Sequence, residues 1–156
     1  MSTTENAVIR RAIAEKMRTV PGIGVVYEFE RYAKTERDFK TLYGNNEVLL
    51  GWHIRRVSRR ETLAFNEVEC DWEIRGFRSL SDADASELVF DDLVDAVLDA
   101  FRDDVRLGGI LLTPRDDGDA VPALQDSGPV MFCGVLCHSV RLKFATRSWR
   151  APNAGD

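Results

Sequence analysis

The sequence predicts an α+β fold: a mostly antiparallel sheet packed against two main helices, in a single domain taking in residues 1–156. Three observations predict it. Two runs in the middle of the chain, 48–58 and 65–77, alternate apolar and polar side chains, which is the pattern of half-buried antiparallel strands. Two other segments, at either side of that pair, repeat apolar residues at three- and four-residue intervals, as amphipathic helices do. The chain also has enough apolar material for a core: 156 residues, 44% of them hydrophobic, in a size range where a domain buries roughly 70% of its unfolded surface.

The first helix opens on the capping-box pattern Ser2/Glu5 and continues through Val8, Ile9, Ala12, Ile13 and Met17 at helical spacing. Pro21-Gly22 ends it. Residues 24–30 read as a strand with Val25, Tyr27 and Phe29 on one side, and 35–43 as a short helix carrying Phe39, Leu42 and Tyr43 toward the core. Gly44-Asn45-Asn46 is a turn signal. In 48–58, Val48, Leu50, Trp52 and Ile54 share one face and His53, Arg55 and Val57 the other. In 65–77, Val68, Cys70, Trp72 and Ile74 point inward, while Glu67, Glu69, Asp71, Glu73 and Arg75 point to solvent. The short polar link 59–64 makes the two a hairpin. Centred on that link, Trp52 faces Trp72, Ile54 faces Cys70, and Arg55 faces Glu69 on the wet side. A one-residue slip would mix the faces and is excluded.

Ser81 with Asp84 starts the second main helix, which runs to about Asp104 with Phe90, Leu93, Val94, Val97, Ala100 and Phe101 as its apolar stripe. Gly108-Gly109 stops it, 110–113 is a short apolar segment, and 114–129 reads as an acidic, turn-rich, mobile loop. Residues 130–149 form the last strand region, and 150–156 a loose tail.

That last strand contains MFCGVLCHSV, residues 131–140, with two cysteines and a histidine close together. In one continuous strand, Cys133 and Cys137 share a face but stand about 13 Å apart, too far for a disulfide or for two ligands of one zinc. His138 points to the opposite face from Cys137, so the two make no nucleophile–base pair. The expectation is therefore that Cys70, Cys133 and Cys137 are unmetallated, unbridged thiols, and that His138 is a hydrogen-bonded core histidine. His53 is expected on the exposed face of its strand, within reach of Asp71. The alternating acids of 67–73 read as a solvated face laddered with Arg55, Arg59, Arg141, Lys143 and Arg147. Pro21-Gly22-Ile23-Gly24 lacks the lysine of a phosphate loop and precedes a strand. No zinc spacing, nucleophile elbow or dinucleotide fingerprint is present, so the sequence gives no positive case for catalysis and calls for no cofactor.

Charge narrows the classes further. The formal net charge is −5, which argues against a simple DNA-neutralising surface. No apolar run is long enough to span a bilayer, residues 1–6 show no secretion signal, and three cysteines make no disulfide framework, so a reducing compartment is expected. Glu87, Asp91, Asp95, Asp99 and Asp103 recur every fourth residue and form one acidic stripe on the second main helix. Such pairs repel by a few tenths of a kcal/mol each. The stripe reads as a solvated face, or as one that meets a basic surface or lines an acidic channel. Arg10, Arg11, Arg59, Arg60 and Arg150 are the candidate partner surface on another subunit.

The order of elements and several short patterns carry a resemblance. A first helix ends in PGIGVVYEFERYA; one strand carries LLGWHIRRV; the next carries WEIRGFRSLSDADASE and leads into a long helix; LGGILL follows, and then VMFCGVLCHSVRLKF. Over about residues 5 to 149 this layout resembles the tail terminator proteins of long-tailed bacteriophages and prophages. The resemblance implies a small structural subunit, not an enzyme, that forms a homohexameric ring on the end of the tail tube. The ring ends tube polymerisation and joins the head connector or neck protein, with DNA passing through unbound. It also implies a place in the virion after assembly in the host cytoplasm. Two other readings stay open: another neck component, such as a head–tail joining or head-completion protein, and a small ligand-binding or hydrolytic domain using His53 and Asp71.

Overall fold

A computed structural model describes residues 5–45, 48–114 and 121–150 and has the α+β architecture. Among the described residues, six strands and three α-helices occur in the order α1 (Glu5–Arg18), β1 (Val25–Tyr27), α2 (Glu36–Tyr43), β2 (Gly44–Asn45), β3 (Val48–Thr62), β4 (Glu67–Ser79), α3 (Ser86–Arg102), β5 (Ala123–Phe132) and β6 (Val135–Trp149). The sheet runs β1-β3-β4-β6-β5, with β2 paired to β3. All pairings are antiparallel except β1 with β3.

On one face of the sheet, α1 and α3 bury the main core. Ile9, Ile13, Ala14 and Met17 of α1 and Phe90, Val94, Val97 and Phe101 of α3 meet Trp52, Ile54, Val68, Trp72, Ile74, Val140, Leu142 and Phe144 from the strands. The even spacing of those strand residues puts them all on one side of the pleat. Ser2, half of the expected capping box, lies outside the described residues. The second face is only half covered. There α2, capped by the Thr35 hydroxyl, which accepts from the Asp38 N–H at 3.1 Å, seats Phe39 and Tyr43 against Leu49, Phe77 and Cys137. Two glycines allow these close approaches on opposite faces. A Cβ on Gly51 would come within 2.2 Å of the Tyr43 ring, and one on Gly76 within 2.4 Å of the Trp52 ring.

The β3–β4 hairpin keeps the expected faces but not the expected register. Trp52 lies opposite Gly76, Ile54 opposite Ile74, and Arg55 opposite Glu73. The strands run on to Thr62 and Glu67, so the turn sits later than the polar link suggests, and a bulge between Arg56 and Ser58 shifts the pairing by one more residue. Up to the bulge the shift from the expected pairing is four residues, an even number, so inward residues stay inward. Trp52 and Trp72 are both fully buried, but they do not face each other across the hairpin.

Two further expectations are corrected. Part of the supposed loop 114–129 is strand β5, which starts at Ala123; residues 115–120 of that loop, and 151–156 of the expected tail, lie outside the described residues. The supposed single strand 130–149 is two strands joined by Cys133-Gly134, whose φ values of 50° and 82° suit a two-residue hairpin turn. Helix α3 begins at Ser86 rather than Ser81. The Ser81 hydroxyl instead donates to Asp84 at 2.6 Å, and the Ser81 N–H donates to the Ser86 hydroxyl at 2.8 Å. This tethers a short 3-10 turn, Asp82–Asp84, ahead of the helix. At the other end Asp104 ties α3 to α1 through Lys16 at 2.9 Å. No helix among the described residues is long and apolar enough to cross a membrane.

Candidate functional site

The acidic stripe is laid out as its spacing demands. Helix α3 turns Phe90, Val94, Val97 and Phe101 into the core, with Trp52–Phe90 and Phe101–Phe144 ring contacts at 5.7 and 5.5 Å. Glu87, Asp91, Asp95, Asp99 and Asp103 are left exposed, in a stripe that winds from the flank of the core face at Glu87 to the outer side, because four residues overshoot one turn of about 3.6. Asp99 meets Arg102 at 2.8 Å. Leu88 and Val89 are exposed at the start of the same helix, so its outer surface is acidic with an apolar end.

Four of the five expected basic partners have side chains engaged within the chain. Arg10 is drawn inward: its guanidinium donates to the carbonyls of Glu28 and Ile54 at 2.9 and 3.1 Å and to the Asn6 side chain at 3.0 Å. It also lies 5.6 Å over the Trp72 ring, and burial, followed by the nearby Arg56, pushes its pKa down. Arg11 lies 3.9 Å from Glu28, Arg59 pairs with Glu61 at 2.7 Å, and Arg60 pairs with Glu69 at 2.6 Å. Arg150 is half-buried where its N–H donates to the Asn66 carbonyl at 2.9 Å.

A different set of cations stands on the uncovered half of the second sheet face. Cross-strand pairing aligns His53, Arg75 and Arg141 in one row, ending at Asp126 on β5, and Arg55, Glu73 and Lys143 in the next. Rows two residues apart on one face lie about 7 Å apart. Arg55, Arg141 and Lys143 are exposed, and among the described residues no acid comes within ion-pairing distance of them. Arg75 and Arg141 are like charges directly opposite, an unfavourable arrangement in an isolated sheet. Arg75 leans over the Phe77 ring at 5.3 Å, its Nε buried without a partner. Farther along this face the charges neutralise one another, with Arg147 on Glu67 at 3.1 Å and Arg60 on Glu69. The sequence pattern marked these bases as ladder partners for acids. It missed that pairing across β3, β4 and β6 gathers Arg55, Arg75, Arg141 and Lys143 around Glu73, with Asp126 at the rim.

The histidines do not take their expected places in full. His53 is 1% exposed rather than on a wet face, because α2 covers that part of β3. Its Nδ1 lies 3.5 Å from the Tyr43 hydroxyl, its Nε2 has no hydrogen-bond partner, and Glu30 stands 4.0 Å away. Asp71 is not near it in register: Arg75 is opposite His53, while Asp71 accepts a 2.6 Å hydrogen bond from Ser58. His138 does behave as a hydrogen-bonded histidine, with Nε2 2.7 Å from the Ser86 hydroxyl and its ring stacked on Phe90.

Cys70, Cys133 and Cys137 are free thiols, although the separation argument fails, since Cys133 is in a turn and not in the strand of Cys137. Burial raises the Cys137 thiol to about 11, with Cys133 adding to the shift, and burial likewise raises Cys70. Neither is poised as a thiolate. Among the described residues, no group of three or more His, Cys, Asp and Glu stands in metal-holding geometry. Replacing Cys133 and Cys137 together with alanine is expected to lower stability by about 1–2 kcal/mol and leave the metal content unchanged. Stoichiometric zinc that is present in the parent protein and lost in the variant would contradict this.

No family model matches the chain, and comparison with curated proteins finds no relative. What the geometry itself defines is an α+β protein with α1 and α3 over one sheet face, α2 over part of the other among the described residues, and exposed acids on α3 opposite exposed bases on the sheet.

Proposed function

We propose that this protein is a structural component of a phage tail: a ring-forming subunit that caps the tail tube, ends its polymerisation and joins it to the head connector. The observation that carries the reading is the segregation of charge, with the acidic stripe of α3 exposed on one side of the sheet and, on the other, the exposed Arg55, Arg141 and Lys143, outnumbering the acids opposite them. A closed ring needs heterologous contacts, so each subunit must present two different, complementary surfaces. The layout that resembles tail terminators also supports it. PGIGVVYEFERYA lies after α1 and includes β1, LLGWHIRRV lies in β3, WEIRGFRSLSDADASE leads from β4 into α3, and VMFCGVLCHSVRLKF spans the β5–β6 turn. The resemblance implies six subunits. In this reading DNA passes through the ring without being held, in keeping with a net charge of −5 on each subunit.

Deleting the gene from its phage tests this. The expected result is tails of uncontrolled length that fail to join heads. Tails of normal length that still fail to join heads would point to a head–tail joining or head-completion role instead. Tails of normal length with normal joining would remove both readings.

A further inference from the structure

Among the described residues, α2 covers only part of the second sheet face. Beyond the reach of α2, the second face has no helix over it among the described residues, yet it concentrates Arg55, Arg75, Arg141 and Lys143. An antiparallel sheet can leave a polar face to water; what marks this one as a contact surface is its concentration of like charge. A cover that brings negative charge would meet Arg55, Arg141 and Lys143, which no acid among the described residues pairs with at ion-pairing distance, and the same chain carries such a surface on the outer side of α3. We propose that α3 of one subunit docks on the open β3-β4-β6 face of the next, its acidic stripe set against Arg55, Arg141 and Lys143. This rests on the ring reading above and names the two surfaces that would make the ring.

Three features favour a second copy over another occupant. The charges are opposite in sign and both surfaces are exposed. The exposed Leu88 and Val89 give the helix apolar area to bury. Most tellingly, the two surfaces lie on opposite sides of one sheet, so using one leaves the other free. That is head-to-tail association, which closes into a ring when the rotation per subunit allows it and cannot stop at a two-fold dimer. The Arg75–Arg141 juxtaposition, unfavourable in the lone chain, becomes favourable once carboxylates arrive. Duplex DNA is the competing occupant for a basic face.

Charge exchange between the surfaces is the test. Two double variants, R141E/K143E on the sheet and D91K/D95K on the helix, change only exposed positions; unfolding curves check that each still folds. Each alone is expected to weaken association by about a hundredfold, since like charges then face each other across the contact, and the four changes together should restore much of it. Wild-type association should also fall as salt is raised. Rings that form equally well in wild type and in both double variants would overturn this interface and leave the ring reading standing. Rings unaffected by R141E/K143E, together with loss of binding to a short DNA duplex, would assign the face to nucleic acid instead. A wild-type protein that stays monomeric at every concentration, alone and with tail tubes, would remove the interface and the ring reading together.

Discussion

Trp72→Ala is expected to lower the unfolding free energy by about 3–5 kcal/mol, the range for truncating a large buried aromatic. Trp72 is fully buried at the centre of β4, paired with Arg56 on β3 and Phe144 on β6. Its indole N–H donates to the Thr146 hydroxyl at 2.8 Å, and Arg10 lies over its ring. The substitution therefore removes apolar packing, opens a cavity and leaves the buried Thr146 hydroxyl unpaired, three costs that add. Against a total stability of about 5–15 kcal/mol for a domain of this size, that is a large fraction. Urea unfolding measures it as a shift of midpoint at constant slope. Trp149, which is 60% exposed, serves as the control, and its alanine variant should change stability by less than about 0.5 kcal/mol. Equal effects at the two positions would contradict the packing described.

The second large effect is a loss of stability in mild acid traced to one side chain. His53 is pushed down to about 4, first by burial and then by the positive charge of Arg75. The unfolded chain takes up this proton near the ordinary value of about 6.5, whereas the folded protein does not until about pH 4. Between these limits the unfolded state binds more protons, so stability falls as pH falls. The contribution is fully present above about pH 6.5 and is lost through the window down to about 4. At 1.36 kcal/mol per pKa unit the loss is roughly 3 kcal/mol. Carboxylates titrate in the lower part of the same window, so the diagnostic quantity is the difference between wild type and His53→Gln. The variant should show a flatter decline between about pH 7 and about pH 4.5. Parallel curves for the two proteins would mean that His53 is accessible to water in the folded state.

His53 also shows where the sequence could be read and where it could not. Alternation along β3 and β4 put Trp52, Ile54, Val68, Cys70, Trp72 and Ile74 on the core side, and all are buried there. The pleat has a period of two and needs no knowledge of partners. Whether the other side is wet depends on what packs against it, and that is decided by α2, a separate element. The run Leu49–Ile54, buried throughout, carried a hint: two-sided burial reads as a continuous apolar stretch rather than a strict alternation. Register was lost for a related reason. It depends on where the turn falls and on the bulge after Arg56, neither of which the side-chain pattern records. Strand β5 was hidden by its position. As an edge strand exposed from Ala123 to Ser127, it shows no inward face in its first half and turns only Val130 and Phe132 toward the second core; Pro129 is tolerated because the missing N–H can face outward. Its turn uses Cys133 at positive φ, a residue that gives no turn signal.

The candidate surfaces divide in the same way. Spacing every fourth residue places the acids of α3 from local geometry alone. The basic surface is non-local. Arg10 looked free because the Glu28 and Ile54 carbonyls that hold it lie on other elements, and Arg75 and Arg141 become neighbours only through pairing between strands far apart in sequence.

The most direct measurement of the central claim is native mass spectrometry of the purified protein over a range of concentrations, alone and with tail tubes, with negative-stain images of the same samples. The proposed tail-terminator ring, built head to tail, predicts a closed species of six chains of 17.6 kDa each, seen as rings, on the tubes or in solution, that dissociate as salt rises. A protein that remains a single 17.6 kDa chain under all of these conditions would contradict it.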